Sequence, residues 1–106
     1  MTVLACLTTC PDSATAERIA ETLVGEGLAA CVNLVPGVTS IYRWQGAVER
    51  SAEVLLVLKT TEGGFAALRE RLIALHPYEL PELIAVPVDL GLAAYLDWVR
   101  EQVARP

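Results

Sequence analysis

At 106 residues the chain has room for one domain with a buried core, spanning 1–106, and none for a second. Hydrophobic residues make up 54% and charged residues only 20%, against about 45–50% and ~25% in ordinary globular domains, so apolar surface is left over and self-association is expected. Eight basic against thirteen acidic residues give a net charge of -5, with Lys59 the only lysine, which excludes the clustered basic surface that nucleic-acid binding draws on.

In chain order, Val3 to Thr9 reads as a short apolar strand broken by Cys10-Pro11-Asp12. Asp12 or Ser13 is placed to cap a helix whose inner face carries Ala16, Ile19, Ala20, Leu23 and Val24, and Gly25 and Gly27 end it. Ala29 to Val35 is a second strand. Pro36-Gly37 marks a bend, Thr39 to Trp44 resumes β-type composition, and Gln45-Gly46 is a tight hairpin turn. The returning strand holds Val54-Leu55-Leu56-Val57-Leu58, apolar at every position, so burial of both faces is expected. Glu62 to His76 follows as a helix with an inner stripe of Phe65, Leu68, Leu72 and Leu75. The two prolines of His76-Pro77-Tyr78-Glu79-Leu80-Pro81-Glu82 remove backbone donors and force an extended loop. Leu83 to Val86 is a last apolar strand, and a helix from about Leu92 to Val103 closes the chain with a stripe of Leu96, Val99 and Val103.

The order β-α-β, hairpin, β-α-β is that of an α+β, ferredoxin-like βαββαβ fold with an extra C-terminal helix. Both main helices then lie on one face of a four-stranded antiparallel sheet, and the other face is open. If that face exposes roughly 600 Å², its burial at about 25 cal/mol per Å² is worth on the order of 15 kcal/mol before association entropy, so an oligomer is expected. No apolar stretch reaches the ~20 residues of a membrane helix, and Met1-Thr2-Val3-Leu4 lacks a basic segment with a following cleavage site, so a cytoplasmic protein without a membrane partner is expected. Three cysteines, Cys6, Cys10 and Cys31, are an odd number and read as free thiols, Cys6 and Cys31 as small buried hydrophobes within apolar strands.

Four blocks carry a likeness to a known family: Ala29 to Tyr42 with Trp44 to Gly46, Glu53 to Thr60, His76-Pro77-Tyr78-Glu79 with Pro81-Glu82, and Tyr95-Leu96-Asp97-Trp98. In order and spacing they resemble the CutA divalent-cation tolerance proteins over nearly the whole chain. The resemblance implies a compact homotrimer with sheets packed inward, similar in architecture to the PII signalling proteins. It further implies tolerance of divalent metals, copper above all, with no enzymatic activity established for the family. Where some bacterial relatives carry a metal-linked cysteine and a second histidine, this chain has Thr8 and Leu75.

The candidate site residues follow from chemistry and from that resemblance together. His76, the only histidine, is the first candidate for a copper or other divalent metal ligand, and Cys10, at a strand end, is the second. Glu79 and Glu82 offer hard oxygen ligands for divalent ions at the cleft between subunits, the alternative being a bridge to the neighbouring subunit. Lys59, beside Thr60-Thr61 and the start of a helix, could neutralise a small anion in an intersubunit cleft lined by Tyr42, Trp44 and Tyr78, the alternative being an ion pair with a glutamate. A PII-like regulatory module taking a small anionic ligand, or a trimeric scaffold for a protein partner, are the alternatives to metal binding. The chain has no Gly-x-Ser-x-Gly segment and no Gly-rich phosphate loop, so an enzyme is not expected.

Overall fold

The computed structural model describes residues 1–103. Its elements run β1 (Val3–Cys10), α1 (Ser13–Gly25), β2 (Cys31–Trp44), β3 (Ala47–Thr61), α2 (Phe65–Leu75), β4 (Ile84–Pro87) and α3 (Ala93–Gln102). The four strands form one sheet in the order β2-β3-β1-β4, with every neighbouring pair antiparallel. This is the ferredoxin-like arrangement that the element order predicts.

Strand alternation builds the core. Cys6, Cys10, Leu56 and Leu58 are fully buried on the face covered by α1 and α2, where Ile19, Leu23, Leu68 and Leu72 meet them. Register places Cys6 opposite Leu58 and Cys10 opposite Val54, so the same pleat presents both strands to the helices. Leu7, Leu55 and Val57 occupy the other pleat and are only half buried, while Ile84 and Val86 of β4 are 52% and 54% exposed. The expectation that these strands are buried on both faces is therefore met on one face only within a single chain. Helix α3 covers one end of the open face, where Val99 and Val103 pack on Val3 and Ala30. Arg100 fastens it to the chain start, its Nε donating to the Met1 carbonyl at 2.7 Å.

Local chemistry sets the boundaries. Asp12 caps α1 by accepting from the Thr15 N–H at 2.8 Å, which holds its carboxyl below the usual range. Gly27, at φ 72°, turns the chain out of that helix. The expected start of α2 at Glu62 moves to Phe65, because Gly64 N–H bonds Thr61 in a turn first. The expected end moves as well: His76 is extended at ψ 134°, as a residue before proline must be, and lies just outside the helix.

Pro36-Gly37 does not end a strand. The register shifts between Val35 and Val38, a bulge with Gly37 at φ 79°, and β2 continues to Trp44. Beyond the bulge, Val38–Trp44 and Ala47–Glu53 pair only with each other, since β1 accompanies β3 only from Val54 onward. The result is a two-stranded arm on a chain measuring 43 × 26 × 22 Å.

Candidate functional site

The loop after α2 folds back across the end of β1. His76 is buried there, its Nδ1 accepting from the Tyr78 N–H at 3.2 Å, which places the proton on Nε2. That N–H donates to the Thr9 carbonyl at 2.8 Å, and Cys10 Sγ lies 3.8 Å from the same nitrogen. The rings of His76 and Tyr78 stand 4.8 Å apart. Tyr78 in turn donates its hydroxyl to Glu53 at 2.6 Å. Burial and that bond push the Tyr78 phenol well above its usual pKa.

His76 and Cys10 are thus brought together as a pair, but not as a metal-ready one. Both imidazole nitrogens already have partners. The strand end does not present Cys10 to solvent: it is fully buried, and desolvation, with the charges of Glu53 and Asp12, pushes its thiol up to about 11. Among the described residues no group of three or more His, Cys, Asp or Glu could hold a metal ion. Copper does not fit this pair as arranged, because ligation at either nitrogen displaces a hydrogen bond that fixes the loop.

The hairpin arm and the loop flank a half-open cavity of about 700 Å³. Tyr42, Trp44, Tyr78, Glu79 and Glu82, five of the residues expected at a cleft, line it, together with Arg43 and Glu53. Tyr42 is held by a hydroxyl bond to Ser51 at 2.8 Å. Glu53 is the residue that sequence reading missed. It is 7% exposed, and the signal for it was one carboxylate directly preceding five apolar residues, a position where burial demands a partner.

Lys59 does not join this cavity. It projects on the open sheet face, donating to Asn33 Oδ1 with its Nζ 3.9 Å from Cys31 Sγ. Along β3 it stands ten residues from Glu49, the partner of Tyr42, roughly 33 Å at about 3.3 Å per residue. Among the described residues neither the helix start nor a glutamate receives its charge. The neighbouring Cys31 is half buried rather than a core residue, because its pleat faces away from the helices.

One sheet with helices on a single face, an apolar opposite face and an acidic, aromatic cleft alongside a projecting arm define a small α+β domain of ferredoxin-like fold. The chain belongs to the CutA family, whose model, described as CutA1 divalent ion tolerance protein, matches residues 4–102. A divalent-cation tolerance protein CutA of Thermus thermophilus is 56% identical over 95 residues, covering 90% of this chain and 92% of the relative. The human protein CutA is 46% identical over 99 residues, 93% of this chain but 55% of its own length, so the chain spans about half of that relative. Among solved structures, CutA1 from Oryza sativa superposes with a TM-score of 0.97 at 39% identity, covering all of this chain and 97% of that one.

Proposed function

We propose that this protein acts in divalent-cation tolerance as a cytoplasmic homotrimer, and that it binds or responds to cations through the cavity alongside its hairpin arm. The carrying observation is the charge of the lining: Glu53, Glu79 and Glu82 against Arg43 alone. Such a lining concentrates cations and opposes the small anion of a PII-like module. Glu79 and Glu82 are exposed and offer hard oxygen donors, with a neighbouring subunit completing the coordination. The apolar stripe of Leu7, Leu55, Val57, Ile84 and Val86 supports assembly through the open face. The role is binding, with no bond made or broken.

Calorimetric titration of the reduced protein with Cu(II), Cu(I), Zn(II) and Ni(II) tests the site. Saturable binding that persists in His76→Ala and is lost in the Glu79→Gln/Glu82→Gln double variant is expected. Loss in His76→Ala alone, with unchanged circular dichroism, moves the site to His76 and Cys10. Absence of binding for every ion removes the cation reading. Light scattering tests the assembly: three chain masses are expected, and one chain mass for Ile84→Glu/Val86→Glu.

A further inference from the structure

The cavity is far larger than a single ion needs. Its volume of about 700 Å³ lies within the ~300–1,000 Å³ typical of small-molecule sites. Its carboxylates do not converge: no metal-holding group of three exists among the described residues, although Glu53, Glu79 and Glu82 all line the cavity. Within one chain a bare ion at a single point does not gather all three. A ligand with separated charges can.

Three aromatic side chains, Tyr42, Trp44 and Tyr78, share the lining with the carboxylates, and Arg43 is its one cation. The phenol hydroxyls of both tyrosines are spent within the protein, on Ser51 and Glu53. What those side chains have left to offer a ligand is the ring, whose negative face attracts cations and whose body accepts methylene groups. Dispersed carboxylates suit ammonium groups, each with three N–H donors, and the rings suit an aliphatic chain joining them.

We propose that this cavity takes a linear aliphatic diammonium ion, a divalent cation whose charge is divided between two ends. The proposal rests on the cavity being the cation site put forward above and names the class of cation that its lining fits. Trp44 supplies the ring contact, while Glu79 and Glu82 receive the ammonium groups.

The test is calorimetric titration of the intact protein with 1,4-diaminobutane. Uncharged 1,4-butanediol is the control for the chain alone, and Zn(II) and Ni(II) are run in parallel. Saturable binding of the diamine and none of the diol is expected. Trp44→Leu, which keeps an apolar side chain but removes the ring, should weaken diamine binding at least ~5-fold with unchanged circular dichroism. Glu79→Gln/Glu82→Gln should abolish it, and Arg69→Ala on the surface of α2 should leave it unchanged. Equal binding of diamine by wild type and Trp44→Leu overturns the proposal. Metal binding without diamine binding also overturns it while leaving the cation site standing, and binding of neither removes both.

Discussion

The hairpin of β2 and β3 passes through two environments, and the contrast between them organises the molecule. At its base, Leu56 and Leu58 are fully buried beneath α1 and α2; in the arm beyond the bulge, Ile41 and Val48 are 63% and 67% exposed. The covered stretch, Val54 to Leu58, is apolar throughout, whereas Thr39, Ser40, Arg43, Glu49, Arg50 and Ser51 make the arm mixed. The arm also lacks a second layer to receive its side chains, and a two-stranded ribbon without one is marginal in water. The covered half is therefore the folding unit, and the arm depends on whatever packs against it.

The largest expected effect breaks the covered half. Leu72→Ala removes a fully buried side chain and should cost about 2–5 kcal/mol in urea unfolding, most of it as cavity and lost transfer energy. Val48→Ala in the arm should cost less than ~0.5 kcal/mol if the arm stands in water. A cost above about 1 kcal/mol there reports that a neighbouring copy covers it.

Alkaline pH separates the same regions next. Burial raises Cys6 and Cys10 from 9.0 to about 11, and Tyr78 is raised above its ordinary 10.0. Each group is neutral when protonated and holds its proton more tightly when folded. The unfolded chain therefore releases protons first, and stability falls as pH rises above about 9. The urea midpoint should drop across that range, and Tyr78→Phe should flatten the part above pH 10. A midpoint constant from pH 8 to 11 contradicts the burial of these groups.

Thr8 sharpens the core further. Its hydroxyl is buried without a hydrogen-bond partner among the described residues, on the pleat between Cys6 and Cys10. Thr8→Val keeps the shape and removes the unpaired oxygen, so a gain of about 1 kcal/mol is expected by urea unfolding. The smallest effect lies at the arm's tip, where Gln45 and Gly46 both have positive φ, 49° and 82°. That geometry favours Asn-Gly, and Gln45→Asn should add roughly 0.5 kcal/mol. No change in the arm's amide exchange would show that the turn does not limit its opening.

The candidate site was legible unevenly. Tyr42, Trp44, Tyr78, Glu79 and Glu82 stood out as aromatic and acidic residues near a turn and a proline-bounded loop, and one cavity gathers them. Lys59 stands apart from this cavity within the single chain, because proximity to a helix start in sequence says nothing about which pleat a side chain occupies. Its pleat is set by register, Lys59 opposite Ala5 and Cys31, and points to the open face. Glu53 escaped notice because its role is to accept from Tyr78, a residue 25 positions away.

Periodicity, prolines and glycines alone determined the element order, and with it the ferredoxin-like sheet, because strand and helix patterns are local consequences of side-chain spacing and backbone freedom. Only the tertiary structure decided that β2 runs through its bulge into a free arm. It also decided that both nitrogens of His76 are spent on holding a loop, and that the loop's carboxylates face aromatic residues from the arm. These depend on hydrogen bonds and contacts between residues far apart in the chain, and no local pattern encodes which distant groups will meet.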